Sequence, residues 1–261
     1  MKVIILTTSE YGTTGHHLPV LYGAAGIEIA MVVVSTGPPP VRKNHRIRRL
    51  KKVFKIGPLG ALNGIKMRKW YNEDVKQYCT IESARMFCEK HNIPFRNVPY
   101  TNSELTQQLF RESGADIGLS LGNGYISARV FGIPRYGMLN VHHEILPQYQ
   151  NAQSIIWQLY NGSAETGYTI HKIDKNIDTG EIVLQEKVPI VFRSTLDDTV
   201  AFNYARLFDA SVRGLLTVFA HFDRYFFNAK PQGKGGHYTT PSYPQFLKIK
   251  RQFNRLKKEK G

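Results

Sequence analysis

Cysteine is close to absent from this sequence: Cys79 and Cys88 are the only two in 261 residues. Two are too few for a disulfide framework, and their spacing is not that of a zinc site. They are read as reduced thiols of a cytoplasmic protein. Long apolar runs are missing as well. The run Val3 to Leu6 is followed at once by polar Thr7, Thr8 and Ser9, too short for the core of a signal peptide. No stretch approaches the roughly 18 apolar residues that span a bilayer. The expectation is a protein neither exported by a cleaved leader nor integral to a membrane. Internal repeats and low-complexity tracts are also lacking, which excludes solenoids and disordered arrays.

Acid is missing in one place in particular. From Arg42 to Lys69 there are 11 Lys or Arg and no Asp or Glu, and from Lys248 to Lys260 there are 7 against the single Glu259. Setting these segments aside leaves 17 bases and 19 acids, so the formal charge of +15 sits wholly on two basic stretches and the rest is near −2. A near-neutral body with two basic attachments is the expected organisation.

What is present along the body alternates strand and helix signals. Lys2 to Thr8 and Glu28 to Ser35 read as buried strands, with a helix over Leu18 to Ala25 between them. Strand, helix, strand at this spacing is a βαβ unit, and it implies a parallel sheet. Gly37-Pro38-Pro39-Pro40 then interrupts the pattern. Beyond Asn72 come a helix over Ile81 to Lys90, a strand over Phe95 to Val98, and a helix capped by Asn102 or Ser103 that runs to Ser113. Strands follow at Ile117 to Leu121 and Tyr136 to Val141, then a helix over Ala152 to Tyr160. Strands at Tyr168 to Ile173 and Glu181 to Ile190 precede a long helix that starts at Thr195 or Asp197 and runs towards Tyr225. The fold class is α/β: a Rossmann-like, mostly parallel sheet flanked by helices. Ligands of such sheets bind at the carboxyl ends of strands, here the loops after Leu6, Leu121 and Val141.

Polar groups in the middle of the chain could carry chemistry there. Asn140 and His142 stand two apart at a strand end, so they share a face. Asp178 lies in the loop Lys175-Asn176-Ile177-Asp178-Thr179-Gly180. A carboxylate beside an imidazole fixes its tautomer and favours its charged form. An amide donor, an imidazole and a carboxylate together can polarise a carbonyl, stabilise its oxyanion and manage a proton. The same residues also fit an ordinary strand end and turn.

The surrounding sequence decides between these readings. Tyr136-Gly137-Met138-Leu139-Asn140-Val141-His142-His143-Glu144-Ile145-Leu146-Pro147 resembles the Asn-x-His strand and loop of the folate-dependent formyltransferases. Gly167-Tyr168-Thr169-Ile170-His171-Lys172-Ile173-Asp174 is similar to that family's next strand, and Ile177-Asp178-Thr179-Gly180-Glu181-Ile182 to its Asp-Thr-Gly signature. The resemblance implies the formyltransferase fold, 10-formyltetrahydrofolate as co-substrate and formyl transfer to an amine. It implies a catalytic domain over 1–225 with a basic insert at 38–72, and a short basic extension, helical or irregular, over 226–261. On it, Asn140 would hydrogen-bond the formyl oxygen, His142 would polarise the formyl group, and Asp178 would orient His142. Asn123, Gly124, Tyr125, Ile126 and Asp174 would surround the folate, largely through backbone groups. Ser9, Gly12, Thr13 and Thr14, in the loop after the first strand, would offer N–H groups to a phosphate of the acceptor; an ordinary βα turn is the alternative there.

This chain departs from the family pattern in two places. His143 and Glu144 stand where the family usually has a small residue or Pro, then Ser. Gln150-Asn151 stands where many members carry Arg-Gly. Both departures bear on the acceptor. His143 is either an exposed loop residue or a substrate contact, and Glu144 either a cap or an attractor of the substrate ammonium.

In the basic segments, Ile47, Leu50, Val53 and Phe54 share one helical face before Gly57-Pro58. Phe246, Ile249, Phe253 and Leu256 share another in the tail. Such helices dock on the body, lie on an anionic membrane surface or bind nucleic acid; for the insert the membrane surface is expected. The acceptor is expected to be an amino sugar, nucleotide-linked or lipid-linked, in surface-glycan synthesis, because Pro231 to Tyr238 resembles the sequence after the catalytic domain of sugar N-formyltransferases. The alternatives are a methionyl-tRNA formyltransferase, whose usual C-terminal β-barrel is longer than the segment after Tyr225, a glycinamide ribonucleotide transformylase, and a non-enzymatic adaptor.

Overall fold

The computed structural model describes residues 1–38 and 45–260, with the backbone alone for 45–55. The expected face of Ile47, Leu50, Val53 and Phe54 therefore lies outside the described side chains. The strands are β1 (Lys2–Thr7), β2 (Glu28–Ser35), β3 (Phe95–Val98), β4 (Ile117–Leu121), β5 (Met138–His142), β6 (Glu165–Lys172) and β7 (Ile182–Pro189). The helices are α1 (Thr13–Tyr22), α2 (His45–Asn72), α3 (Ala84–Lys90), α4 (Glu104–Ser113), α5 (Ala128–Phe131), α6 (Ile156–Tyr160), α7 (Leu196–Ala220), α8 (Phe222–Phe226) and α9 (Tyr243–Lys260). A single 3-10 turn covers Asp74–Gln77.

One sheet carries the fold, in the order β3-β2-β1-β4-β5-β6-β7. The first five strands in that order are parallel, and β6 and β7 are antiparallel to their neighbours. The chain leaves β1 for β2 on one side and returns to β4 on the other. Their carboxyl ends thus flank the topological switch point, where such sheets bind ligands. Thr7 Oγ1 ties the two ends together with a 2.7 Å bond to the Leu121 carbonyl.

Period-two alternation explains the layers. In β1, Val3 and Ile5 pack with α1, α3 and α7 on one face, while Ile4 and Leu6 pack with α4 and α5 on the other. Covered on both faces, β1 reads as an unbroken apolar run. The caps are as expected at two helices: Ser103 Oγ accepts the N–H of Thr106, and Thr195 that of Asp198.

The structure corrects the start of α1. The sequence pattern places this helix at Leu18, but it begins at Thr13, directly after Gly12 at φ 64°. Pro19 inside the helix and the polar residues of its first turn obscure the periodicity. Thr13 and Thr14 are therefore helical residues. α2 is broken at Gly57 (φ 72°) before Pro58, where the sequence signals a stop.

The tail is docked. Ile249, Phe253 and Leu256 of α9 are buried in a cluster with Met67 of α2, Ile156 and Leu159 of α6, and Val200 of α7. The expected apolar stripe of α9 is thus an internal contact. Phe246 is half-buried against it, its ring 6.2 Å from Trp70. In contrast, Leu59, Leu62 and Ile65 of α2 are 52%, 56% and 62% exposed. No helix among the described residues is long and apolar enough to cross a membrane.

Candidate active site

A cavity of about 270 Å³ opens at the switch point. Its wall comes from the start of α1 (Thr13), the loop after β4 (residues 122–126), the end of β5 with the following loop (residues 140–144 and 151–152), His171 of β6, and residues 176–178. These include two of the three loops expected from the sheet topology, those after β4 and β5; after β1 the contribution is Thr13, the first residue of α1.

Sheet register sets the polar centre. Asn140 of β5 pairs with His171 of β6, and Asn140 Nδ2 lies 3.1 Å from His171 Nε2. His171 Nδ1 lies 2.8 Å from the Lys172 carbonyl, which can only accept. Burial, and then the neighbouring His142, push His171 down to about 4, so at neutral pH it carries a single ring proton. That proton sits on Nδ1. Nε2 therefore accepts from the Asn140 amide, which retains one N–H for a ligand. The 3.7 Å approach of Asp178 Oδ1 to His171 Nε2 is for the same reason not an ion pair.

His142 stands one pleat further along. Its Nε2 donates to the Tyr149 carbonyl at 3.0 Å, and its Nδ1 faces Asp178 Oδ2 at 3.9 Å. Both ring nitrogens thus look at acceptors, so the geometry accommodates a positively charged imidazole. Asp178 adopts φ 56°, a left-handed conformation that Asp and Asn tolerate best among residues with a side chain. The loop around it is clamped. Oδ2 accepts the Asn151 N–H at 3.0 Å, and the Asp178 carbonyl accepts Gln150 Nε2 at 3.2 Å. Gln150 and Asn151, the pair that departs from the family pattern, are what hold Asp178 in place. Gly180 is demanded by packing, since a Cβ there would overlap the Lys172 carbonyl.

The remaining expected residues divide. Asn123, Gly124, Tyr125 and Ile126 line the cavity. Asn123 Nδ2 is spent on the Leu6 carbonyl at 2.5 Å and Ser120 Oγ at 3.1 Å, while its Oδ1 is buried without a partner. That orphaned acceptor, next to Gly124 with open space where a Cβ would be, fits a ligand bearing N–H groups, as a pterin does. Asp174 lies outside the lining. Its carboxylate takes the Thr179 hydroxyl at 2.7 Å and the Asn176 N–H at 3.0 Å, and so shapes the loop that presents Asp178.

Of the four residues read for a phosphate, Thr13 alone lines the cavity. Thr14 is buried and bonds Thr7 Oγ1 at 2.8 Å, Ser9 Oγ accepts the Tyr11 N–H at 3.1 Å, and Gly12 precedes the helix without a side-chain cap. Glu10 in the same loop is paired with Arg85 at 2.6 Å.

His143 and Glu144 line the cavity but are buried, 8% and 1% exposed, so His143 is not an exposed loop residue. Glu144 contacts Gln158 and is held well above the usual carboxylate range by burial. A neutral carboxyl there does not attract an ammonium ion by charge; it can hydrogen-bond. The sequence pattern assigned no role to His171. Its signal was its place two residues after Thr169, on the same face of β6.

An amide, two imidazoles and a carboxylate at the switch point of an α/β sheet can together polarise a carbonyl and manage a proton. The family model described as "Formyl transferase" matches residues 68–218, more than half of the chain and including all four groups. The chain belongs to the formyl transferase family. Among curated relatives, it is 44% identical over 90 residues to methionyl-tRNA formyltransferase of Deinococcus radiodurans, covering 34% of this chain and 28% of that one. It is 33% identical over 109 residues to GDP-perosamine N-formyltransferase of Brucella melitensis, covering 40% and 42%. The chain thus matches less than half the length of either relative. Among solved structures, the N-formyltransferase from Helicobacter canadensis in complex with folinic acid and dTDP-3-aminofucose shares the fold. Its TM-score is 0.57 at 14% identity, over 97% of this chain and 80% of that one.

Proposed function

We propose that this protein transfers a formyl group from 10-formyltetrahydrofolate to a primary amine of an amino sugar carried on a nucleotide or a lipid. The observation that carries the reaction is the convergence of Asn140, His142 and Asp178 on the cavity that the loop 122–126 also lines. The sugar-directed relatives support the acceptor class.

The folate supplies an activated formyl group on nitrogen. The new C–N bond forms from the amine, the bond to the folate nitrogen breaks, and one proton passes from the amine to that nitrogen. Asn140 offers its remaining amide N–H to the formyl oxygen, aimed by His171. His142 meets the negative charge that gathers on that oxygen, with Asp178 opposite its Nδ1. The loop 122–126, with the unpartnered Asn123 Oδ1, would hold the pterin edge.

The basic segments suit a cytoplasmic enzyme working at the inner face of a membrane. Three large apolar side chains of α2 face outwards beside Lys66, Arg68 and Lys69, which are exposed. Bases beside exposed apolar residues suit anionic lipid. Nucleic acid would use the bases but not Leu62 and Ile65.

The test is a formyl-transfer assay with nucleotide-linked amino sugars, methionyl-tRNA and glycinamide ribonucleotide as separate acceptors. Transfer to an amino sugar is expected; transfer to methionyl-tRNA alone would overturn the acceptor class. Co-sedimentation with anionic and neutral vesicles, beside a tRNA gel shift, tests the surface. Salt-sensitive binding to anionic vesicles is expected, and tRNA binding without vesicle binding would refute it.

A further inference from the structure

Behind His143 a line of polar side chains runs from the cavity wall through the core to the surface. His143 Nε2 lies 3.2 Å from Ser211 Oγ, and Ser211 Oγ lies 3.0 Å from His17 Nε2. His17 Nδ1 lies 3.3 Å from His16 Nδ1, and His16 Nε2 lies 3.0 Å from Asp209 Oδ1. The line joins the end of β5 to α1 and α7. His17 and Ser211 are fully buried, whereas the Asp209 side chain is 55% exposed.

Proton positions follow from the anionic end. The Asp209 carboxylate accepts, so His16 carries its proton on Nε2. Burial lowers His16, His17 and His143 from the usual imidazole range, so each has one ring proton at neutral pH. His16 Nδ1 is then bare and accepts from His17 Nδ1–H. His17 Nε2 is bare in turn and takes the Ser211 hydroxyl proton. The Phe208 carbonyl, 3.2 Å from Ser211 Oγ, could also take that proton, but the bare His17 nitrogen would then face an oxygen lone pair. Ser211 Oγ accepts from His143 Nε2–H, which leaves His143 Nδ1 without a proton. Nδ1 is neither hydrogen-bonded to a described residue nor sealed in the core as an unpaired buried atom. It is the ring nitrogen of His143 left for the cavity that this residue lines. Tyr204 and Phe208, with ring centroids each 5.2 Å away, hold the imidazole in place.

We propose that the array Asp209–His16–His17–Ser211 fixes the tautomer of His143, and that His143 Nδ1 is the hydrogen-bond acceptor that orients the incoming amine. This rests on the formyl-transfer reading. A primary amine must present its lone pair to the formyl carbon, and holding one N–H at Nδ1 turns the lone pair away from His143. The opposite tautomer would donate to that lone pair and quench the nucleophile. His143 is thus the contact, and Ser211, His17 and His16 are positioning residues.

The experiment reads the ring-proton positions of the full chain by long-range ¹H–¹⁵N NMR at neutral pH, beside steady-state kinetics. His143 is expected as the Nε2–H tautomer. Ser211→Ala is expected to mix or reverse it, and Asp209→Asn, a surface change that spares the core, to weaken the preference. In Ser211→Ala, kcat/KM for the amine should fall at least about fivefold, the loss of one neutral hydrogen bond. Folate binding should be unchanged, and Ser211→Thr, which keeps the hydroxyl, should restore both tautomer and rate. A wild-type His143 protonated on Nδ1 in an active enzyme overturns this inference alone. So does a tautomer change in Ser211→Ala with no effect on the amine. Absence of transfer to every amine overturns the formyl-transfer reading, and with it the role of Nδ1, whatever the tautomer.

Discussion

Replacing Asp178 by Asn isolates the charge of the site from its shape. Asn tolerates φ 56° as Asp does, and its carbonyl oxygen can still accept the Asn151 N–H. Ala would add backbone strain of about 1–2 kcal/mol and confuse the result. What Asn removes is the carboxylate charge that faces His142 Nδ1 across the site. Over 3.9 Å, one pair of unit charges is worth about 4 kcal/mol at an effective dielectric near 20. The side chains are only 14% and 12% exposed, so solvent screens the pair little. Water at the cavity mouth still weakens it, and half the figure, about 2 kcal/mol, is a fair lower bound. Turnover of Asp178→Asn should therefore fall between about 30-fold and about 1000-fold. KM for the folate should hardly move, because Asp178 acts on charge that develops during the reaction. The assay is initial-rate formyl transfer to a verified amine, with urea unfolding to show that the fold is intact. A variant that keeps a third of wild-type kcat would refute the assignment of Asp178.

His142→Ala should cut turnover by at least about 100-fold, the usual cost of removing an oxyanion stabiliser, in the same assay. Phe253→Ala should cost about 3–5 kcal/mol in urea unfolding, because α9 is docked, whereas Leu247→Ala, 46% exposed, should stay within about 0.5 kcal/mol; equal effects would refute the docking. Stability should fall on acidification. Burial holds His171 near about 4 and His143 near about 3, while unfolded histidines take up protons near 6.5. Between those values the unfolded state binds more protons, so the stability read from urea unfolding should drop from pH 6.5 towards 4, by up to about 1.4 kcal/mol per pH unit for each such histidine. His171→Gln should flatten that slope. Gly180→Ala should destabilise by about 1–3 kcal/mol, since its Cβ must displace the Lys172 carbonyl; thermal unfolding reads it.

Much of this protein was legible along the chain. Apolar runs bounded by turn residues placed β2 and β4 to the residue, because strands buried on both faces need no partner to be recognised, and Pro94 marked the start of β3. Asn140, His142 and Asp178 were picked out because the Asn-x-His strand and the Asp-Thr-Gly run resemble one family's signatures, and the structure sets all three on one cavity wall. Helix starts were less so: α1 opens on two threonines and contains a proline, so its apolar period is blurred.

Tertiary structure alone decided what depends on neighbours distant in sequence. The antiparallel register of β6 against β5 put His171 opposite Asn140 and gave that amide its direction. Packing of α9 on α6 and α2 turned an amphipathic tail into core while leaving Leu59, Leu62 and Ile65 of α2 outside; sequence period shows that a face is apolar, not what covers it. The same holds for charge. Glu144 reads as an anion until its burial is known. His143 reads as a loop residue until Ser211, 68 positions away, is found against its ring. Residue types set what chemistry was available here, and only the meeting of remote side chains in a low-dielectric interior set which protons sit where.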